Sequence, residues 1–334
     1  MTEQIEKNIA AQAPVRAQHH LSREEDGDDR EQKLVQVSLG HVSVMPKESL
    51  EFLAIKNSDV VLDATAGMGG HSEMLLEAGA ARVIALDADP EAVAAAKARL
   101  ARFGARATVL ESNFKDAGTT LAGAGVTSIT KALFDLGWNS TQLHSGRGFT
   151  FMADEPLNMS YGAVPASGFT ASQIVNTWSE EVLADVFFGY GEERYARRIA
   201  KKIVETRDAN PITTTSQLVK LITDAVPAIY RKGRIHPATR SFQALRIAVN
   251  DELGTIEKGI TGAWDMLAPG GRIAVISFHS IEDRAVKRLF ISFAKGGGGN
   301  LVFKRPLVPT AEEVKDNPRA RSAKLRVLEK ISTI

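Results

Sequence analysis

The sequence predicts a doubly wound α/β fold, with a mostly parallel sheet and an inserted helical region. Short apolar runs alternate with helical patterns over residues 60–135, and a glycine-rich turn follows the first run. After a long stretch without a clear strand, the same texture returns near residue 272. Short strands that alternate with helices are typical of βαβ units, which form parallel sheets covered on both faces.

Four strands are predicted in the first part of the chain, at residues 60–63, 82–87, 108–110 and 131–135. Helical patterns cover residues 71–80 and 90–103. Pro90 fits the first turn of the second helix, because its ring fixes φ near the helical value and the missing N–H is not needed there.

The middle of the chain is predicted to be helical, at residues 171–188, 192–207 and 215–226. None of these segments alternates with a clear strand. We therefore predict an inserted helical domain that holds substrate or RNA at residues 145–235. A core formed by residues 41–144 and 236–334 would surround it, preceded by a disordered tail at residues 1–40.

The last third returns to the α/β pattern. Residues 242–267 form one long helical pattern or two, residues 272–278 are the most convincing strand, and residues 281–294 read as a helix. The glycines at 296–299 predict a flexible connector. Residues 301–307 and 324–331 are expected to pair as a terminal antiparallel hairpin.

Composition excludes several classes of protein. The chain has 334 residues, of which 44% are hydrophobic and 24% charged, the balance of a globular protein with a sizeable core. No run approaches the roughly 18 to 20 apolar residues of a membrane span, and the first thirty residues lack the apolar region of a secretory signal. Cysteine is absent. That absence removes disulfides and thiol nucleophiles and fits a reducing compartment, so we expect a cytoplasmic protein.

The net charge of +1 hides an asymmetry. Residues 1–40 carry a net charge of −3, residues 194–240 one of +8, and residues 304–330 one of +4. The acidic tail has no apolar periodicity and too little apolar surface to offset its ordering entropy. Two basic blocks in a near-neutral chain indicate a polyanionic partner. Solvated helix faces rich in Lys and Arg explain the first block equally well.

A nucleotide-type site is predicted at the carboxyl ends of the first two strands. The glycines at 67, 69 and 70 follow the strand that ends at Asp63, and Asp87 ends the next strand. Such glycines let a ligand approach the backbone, and a carboxylate in the position of Asp87 can accept both hydroxyls of a ribose. A dinucleotide or S-adenosylmethionine would fit. Ser72 stands where a dinucleotide fold prefers its third glycine, and Asp135 at the fourth strand suits a methyl donor better. The alternative for Asp87 is a helix N-cap before Pro90.

Ordered blocks from residue 41 to the C-terminus resemble the bacterial ribosomal RNA small subunit methyltransferase H family (RsmH, also called MraW). The two most specific blocks are HPATRSFQALR at 236–246 and NPRARSAKLR at 317–326. Others are HVSVM at 41–45, DATAGMGGHS at 63–72, ALDADP at 85–90, FDLG at 134–137, STQL at 140–143, RGFTFM at 147–152, YGEER at 190–194 and SFHSIEDR at 277–284.

The resemblance implies a class I (Rossmann-like) methyltransferase that moves a methyl group from S-adenosylmethionine to the exocyclic amine of a cytidine in 16S rRNA, in the decoding region of the ribosome. It implies the 30S subunit or its rRNA as partner and no membrane, and the sequence leaves a homodimer open. Carried over residue by residue, the cofactor contacts are Gly69, Gly70, His71, Asp87, Phe114, Asp135 and Gln142. For His71, the alternative is a side chain packed on the loop.

The catalytic hypothesis concerns two residues. Asp135 would orient the donor or the amine, and Trp138 would offer a stacking face for the base, although packing under the inserted domain explains Trp138 equally well. His279 lies near Glu282 and Asp283, a grouping that invites a general-base or metal interpretation. A capped helix start explains it as well, so we favour a structural or RNA-positioning role and assign no metal.

Basic side chains and Gln243, most of them in the two specific blocks, are predicted to contact RNA, and the contribution of phosphate contacts to affinity falls with salt. The spacing of His236, Arg240, Gln243 and Arg246 predicts that they share one helix face. The complete set is Arg194, His236, Arg240, Gln243, Arg246, Arg319, Arg321, Lys324 and Arg326.

The chain departs from the family pattern in two places. Leu-Gly-Trp-Asn-Ser replaces Leu-Gly-Val-Ser-Ser at 136–140, and Pro-Leu-Asn-Met-Ser-Tyr replaces Pro-Leu-Asp-Met-Arg-Met at 156–161. One acid and one arginine are thus replaced near the expected substrate entrance. A catalytically inactive ribosome-binding factor on the same fold therefore stays open as an alternative. A nicotinamide-dependent oxidoreductase explains the glycines and Asp87 but leaves the basic blocks without a role.

Overall fold

The computed structural model describes residues 43–137, 145–162 and 164–331. The tail at residues 1–40 and the predicted site residues Trp138 and Gln142 lie outside the described residues. Within these ranges, no helix has the length and apolar content that a membrane span requires.

One seven-stranded sheet organises the molecule, in the order β3-β2-β1-β4-β5-β7-β6. Neighbouring strands from β3 to β5 pair in parallel, whereas β7 runs antiparallel to both β5 and β6. The doubly wound, mostly parallel sheet is thereby confirmed. The strands are β1 Val60–Asp63, β2 Arg82–Asp87, β3 Ala107–Glu111, β4 Ile129–Asp135, β5 Leu267–Ser277, β6 Gly299–Leu301 and β7 Lys324–Lys330.

Residues of one strand pack alternately into two hydrophobic clusters. Val61 and Leu133 belong to one cluster, and their chain neighbours Leu62 and Ala132 belong to the other. Alternation of this kind follows from the two-residue period of a strand, and both faces are apolar because helices cover each of them. The covering helices are Pro46–Leu53, Gly70–Glu77 and Pro90–Leu100 on one face, and Ala117–Gly123, Glu252–Met266 and Ser280–Lys295 on the other.

A third cluster holds the helical region together. Its helices are Ala171–Thr177, Glu180–Gly191, Ala196–Arg207, Thr215–Ala225, the short Ala228–Arg231 and Thr239–Asn250. A single helix over 171–188 was predicted, and that prediction is wrong. Trp178 is extended and fully packed, and the Ser179 side chain caps a new helix by accepting from the N–H of Val182.

The helix Thr239–Asn250 packs with the helical region, although the predicted boundary at residue 235 assigned it to the core. Its buried side chains Leu245 and Val249 belong to the third cluster. Asp251 separates it from the helix Glu252–Met266, whose Ile256 and Ile260 pack on the sheet. Asp251 is in the left-handed region, with φ 44° and ψ 46°, so the chain turns between the two helices within one residue.

The C-terminal hairpin forms in a shorter version than predicted. Of the segment predicted to pair with β7, only Leu301 lies in a paired strand, Gly299–Leu301, and Leu307 adds an isolated bridge to Leu325. The expectation of a flexible connector at 296–299 is wrong for Gly299. A Cβ there would lie 2.9 Å from the ring of Trp264, so the position is tightly packed. The remaining helix, Ala311–Asp316, precedes a 3₁₀ turn at Pro318–Ser322.

Candidate active site

A cleft of about 680 Å³ lies across the carboxyl ends of β1 to β5. Open α/β sheets bind ligands at this edge, where the strand order reverses between β1 and β4. The ends of β1 and β2 line one side of the cleft. The end of β5 and the helix Thr239–Asn250 line the other, and Asp135 at the end of β4 lies between them.

Asp87 is held at the cleft by two backbone hydrogen bonds. Its Oδ2 accepts from the N–H of Gly67 at 2.8 Å, and its Oδ1 accepts from the N–H of Asp89 at 2.9 Å. Burial raises the pKa of Asp87. The N-cap of the following helix is Asp89, whose carboxylate accepts from the N–H of Glu91. The alternative that Asp87 is the cap is therefore wrong.

The glycine turn has two different faces. Gly67, with φ +51°, lines the cleft and has no atom within 4 Å of where a Cβ would lie. At Gly70 a Cβ would clash with the Ser43 hydroxyl, and at Gly69 it would lie 3.3 Å from Ala96. At Gly69 and Gly70 a side chain would thus point into the protein. Gly67, which the sequence predicted to let a ligand approach but which is not among the contacts implied by the family, is the glycine that lines the cleft.

His71 and Asp135 form a buried pair at the centre of the site. His71 Nε2 lies 3.0 Å from the carbonyl oxygen of Val44, and Nδ1 lies 3.6 Å from Asp135 Oδ2. Asp135 Oδ1 is buried without a hydrogen-bond partner within residues 43–137, 145–162 and 164–331. Burial raises the pKa of Asp135 to about 6, although His71 acts in the opposite direction. The Asp135 side chain is 17% exposed and lines the cleft, so the accessible part of its carboxylate can accept a donor from a ligand.

Phe114 lines the cleft next to the strand end of β3. Its ring packs edge-on against Phe134 with centroids 5.7 Å apart, and Gly259 leaves room for it, since a Cβ there would lie 2.5 Å from the ring. The predicted contact residue therefore offers a fixed apolar face to a ligand.

A polar network that the sequence analysis did not assemble lines the other side of the cleft. Arg246 donates from Nε and Nη2 to the two oxygens of Glu252, at 2.8 and 3.0 Å. The hydroxyl of Tyr161 donates to Glu252, and His279 with Glu282 borders Arg246. The sequence predicted only the proximity of His279 and Glu282, through the capped helix start. His279 is the N-cap of Ser280–Lys295 and forms a capping box with Glu282.

One group of side chains in the described ranges has the composition of a metal site: Glu252, His279 and Glu282 bring ligand atoms within 4.8 Å of one another. Arg246 bonds both Glu252 oxygens and approaches His279 Nε2 at 3.3 Å. The guanidinium thus neutralises the carboxylate that a metal would need. The network is an ion pair with hydrogen-bonded neighbours, and we assign no metal to it.

Two predicted RNA contacts are largely buried in ion pairs, so they are not part of an exposed phosphate-binding surface. Arg246 is 11% exposed and paired with Glu252. Arg326, also 11% exposed, donates from Nε and Nη2 to Asp283 at 2.7 and 3.2 Å. Both side chains are largely enclosed by the protein. The spacing of basic residues in the sequence does not predict this burial.

The remaining predicted RNA contacts do not form one helix face. The helix begins at Thr239, so His236 precedes it, and its ring stacks on Phe151 with centroids 4.7 Å apart. Gln243 donates to the Tyr190 carbonyl, and Lys324 lies 3.5 Å from Asp283. Arg194, Arg319 and Arg321 are exposed, and Arg240 is partly exposed.

The residues of the cleft fit S-adenosylmethionine. Asp87 presents a carboxylate that can accept ribose hydroxyls, Gly67 leaves the backbone accessible beside it, and the Asp135 carboxylate in the cleft suits a cationic or N–H-bearing group. The strand order carries an antiparallel β7 between β5 and β6, unlike the 3-2-1-4-5-6 order of dinucleotide folds. Fold and site together define a class I methyltransferase that depends on S-adenosylmethionine. A model of the MraW methylase family matches residues 38–331, and the chain belongs to that family.

Two relatives illustrate the extent of the similarity. The ribosomal RNA small subunit methyltransferase H of Heliobacterium modesticaldum is 46% identical over 310 residues, which cover 87% of this chain and 98% of that protein. The protein of the same name from Geobacter sulfurreducens is 45% identical over 313 residues, which cover 88% and 100%. The similarity therefore extends over almost the full length of both relatives.

Proposed function

We propose that this protein transfers a methyl group from S-adenosylmethionine to the exocyclic amine of a cytidine in 16S rRNA, within the decoding region of the small ribosomal subunit. The observation that carries the proposal is the position of Asp135. Its partly exposed carboxylate lies in the cleft between Asp87 and the polar network at Arg246, where donor and acceptor would meet. The relatives named above are ribosomal RNA methyltransferases.

The residues have distinct roles in this proposal. S-adenosylmethionine supplies a methyl group on a sulfonium, so the protein has only to align it with the amine nitrogen. Such alignment is worth on the order of 7–11 kcal/mol. Asp87 binds the ribose hydroxyls, Phe114 offers an apolar face, and Gly69, Gly70, His71 and Gln142 complete the predicted cofactor contacts.

Asp135 accepts an N–H of the target amine. The lone pair of a cytosine amine is delocalised into the ring, and an acceptor on the N–H localises it on nitrogen. Trp138 remains a predicted stacking partner for the base, with an expected contribution of about 1–3 kcal/mol. Unchanged methylation by both Asp135→Ala and Trp138→Leu would contradict these two roles.

Basic side chains that are exposed or partly exposed at two sites are the proposed phosphate contacts. Arg194 and Arg240 lie on the helical region, and Arg319, Arg321 and Lys324 lie before or at the start of β7. A small subunit in the cytoplasm is the partner that this function requires. The homodimer is a separate proposal that sedimentation of the purified chain would check.

The test is methyl incorporation into small subunits from cells that lack the gene. We expect radiolabel from S-adenosylmethionine in one cytidine of the 16S rRNA, and no label when the subunits come from cells with the gene. Subunit binding without incorporation would contradict the proposal and would instead indicate a catalytically inactive ribosome-binding factor. Equilibrium binding of NAD instead of S-adenosylmethionine would contradict both.

A further inference from the structure

The polar network on the side of the cleft away from Asp87 is centred on the guanidinium of Arg246, which two hydrogen bonds hold in place. Arg246 makes two parallel hydrogen bonds to Glu252, and the two side chains are 11% and 8% exposed. Although burial opposes it, Glu252 raises the pKa of Arg246 further above its usual value, so the charge is permanent. A bidentate pair of this kind fixes both the position and the plane of the guanidinium.

Tyr161 completes the support of this ion pair. Its hydroxyl donates to Glu252 Oε1 at 2.9 Å, and burial raises the pKa of Tyr161 well above its usual value, so the hydroxyl keeps its proton. The ring stacks on Phe149 with centroids 5.5 Å apart, and the backbone N–H donates to Asn250 at 2.8 Å. The family pattern has methionine at this position. Methionine has no hydroxyl, so the hydrogen bond from Tyr161 to Glu252 is a departure from that pattern.

The hydrogen-bond inventory of Arg246 leaves one nitrogen free. Arginine has five N–H donors. The Nε and Nη2 groups bond Glu252, and Nη2 also approaches His279 Nε2 at 3.3 Å. No hydrogen bond within the described ranges uses Nη1, and Arg246 lines the cleft. Nη1 is not among the fully buried unpartnered atoms of the described ranges, so it is accessible from the cleft, where an acceptor on a ligand can meet it.

Asp135 and Arg246 line the same cleft, so one edge of a cytosine bound there would face both of them. Asp135 ends β4, and Ile276 of the neighbouring β5 is its register partner, three residues before His279. The ribose edge at Asp87 lies on the other side of Asp135, three strand spacings or about 14 Å from β5. A cytosine whose amine lies at Asp135 presents its ring nitrogen and its O2 carbonyl along the same edge, away from the cofactor.

The charge balance favours a neutral acceptor over a phosphate. Glu252 neutralises Arg246 within a largely buried pair, and the second carboxylate, Glu282, lies nearby. Although burial acts in the opposite direction, His279 and Arg246 hold the pKa of Glu282 below its usual range, so that carboxylate is ionised. A phosphate would meet a negative surround here, whereas a carbonyl oxygen needs only the N–H.

Resting on the function proposed above, we propose that Arg246 binds the O2 carbonyl of the target cytosine through Nη1 and that Tyr161 and Glu252 position its guanidinium. The contact orients the base so that the amine faces Asp135. Arg246 is then a substrate-binding residue inside the cleft, distinct from the phosphate contacts on the surface.

The test replaces one atom of the base. Small subunits are reconstituted with 16S rRNA that carries cytidine or 2-thiocytidine at the nucleotide that the wild-type protein methylates. Sulfur is a weak acceptor, so we expect the wild type to lose about tenfold in kcat/KM on the thio substrate, the size of one hydrogen bond from a charged donor. Arg246→Lys keeps the charge and removes Nη1. It should be about tenfold slower on cytidine and show no further loss on 2-thiocytidine.

Two further variants separate positioning from folding. Tyr161→Phe removes one hydroxyl and should reduce the sulfur effect while S-adenosylmethionine affinity stays unchanged. Arg284→Lys alters an arginine–glutamate pair outside the cleft, with Glu192, and should retain the full sulfur effect. If Arg246→Lys does not fold, the wild type and Tyr161→Phe still decide the question.

Two outcomes would overturn the inference. Equal rates of the wild type on both substrates would show that O2 is not contacted. If Arg246→Lys also bound subunits more weakly and with a changed salt dependence, Arg246 would be a phosphate contact instead. An equal sulfur effect in the wild type and Arg246→Lys would place another donor at O2. Failure of the wild type to methylate the cytidine substrate at all would instead contradict the proposed function.

Discussion

The imidazole Nδ1 of His71 lies 3.6 Å from Oδ2 of Asp135, while Nε2 of the same ring lies 3.0 Å from the carbonyl of Val44. Because the carbonyl can only accept, Nε2 carries a proton, and a neutral ring then turns its lone pair at Nδ1 toward Asp135. A hydrogen bond between Nδ1 and the Asp135 carboxylate therefore requires one further proton, either on Nδ1 or on the carboxylate. Asp135 borders the cleft, so this proton is coupled to what binds there.

Methylation should rise with pH through the titration of Asp135. The carboxylate must be ionised to accept an N–H of the amine, and its pKa is about 6. We expect kcat/KM on undermethylated small subunits to increase from pH 5 to pH 7 and then level. The profile of Asp135→Asn should lack this step. A rate that is flat across pH 5–7 in the wild type would contradict the role of Asp135 as an acceptor.

Stability should respond to the same group in the opposite direction. Folding raises the pKa of Asp135 from 3.8 to about 6, so the native state binds the proton more tightly, and this contribution to stability is lost as pH rises through that window. Relative to the wild type, Asp135→Asn should gain up to about 3 kcal/mol between pH 4 and pH 8. Urea unfolding at the two pH values measures the difference, with the same exchange at the exposed Asp265 as control.

Loss of the charge at Asp87 should weaken the cofactor and leave the fold intact. An asparagine can still accept from Gly67, but it cannot accept from two ribose hydroxyls as a carboxylate does. We expect Asp87→Asn to bind S-adenosylmethionine about tenfold more weakly. Asp59→Asn is the matched control, because Asp59 also accepts a backbone N–H but lies before the start of β1, away from the cleft. Equal affinities of the two variants in calorimetry would refute the assignment.

Two arginines five residues apart should behave differently. Arg321 is exposed, and Arg321→Glu should lower the affinity for small subunits severalfold and reduce its salt dependence, with little effect on unfolding. Within the described residues, Arg326→Ala leaves the largely buried Asp283 side chain, 14% exposed, with Lys324 as its remaining ion-pair partner and should destabilise the fold by about 3 kcal/mol. Subunit binding at two salt concentrations and thermal unfolding distinguish the two outcomes.

Close packing between two helices at Gly191 gives a prediction that is independent of the site. A Cβ at Gly191 would lie 2.5 Å from the carbonyl oxygen of Arg240 in the helix Thr239–Asn250. Gly191→Ala should therefore cost about 1–3 kcal/mol. Gly123 has no atom within 4 Å of its Cβ position, and Gly123→Ala should be neutral or stabilising. Equal unfolding midpoints of the two variants would contradict this packing.

The sequence predicted the sheet and the cofactor edge because both are encoded locally. A strand of four to seven apolar residues, a glycine turn and a terminal aspartate each lie within a dozen positions, as at Val60–Asp63 and Gly67. The network at Arg246 could not be predicted in the same way. Its members Tyr161, Arg246 and His279 are far apart in the sequence, and only the packing of the helical region on the sheet brings them together.

The exposure of individual basic residues could not be predicted for a related reason. Arg321 and Arg326 have the same charge and lie in one specific block, yet one is exposed and the other faces Asp283. The difference arises because β7 is buried between β5 and β6, and a strand between two partners has no solvated face for its alternate side chains when helices cover the sheet. Charge in the sequence gives the sign of a partner but not which side chains reach it.

The single-residue turn at Asp251 restricts how this architecture can be rearranged. One helix of the helical region continues through that residue into a helix that covers the sheet, so both share a continuous backbone with no linker. Grafting residues 145–235 onto another methyltransferase would leave Thr239–Asn250 behind and open the third cluster. The unit that can be transplanted therefore extends at least to Asn250, and recombination within the family is expected to respect that border.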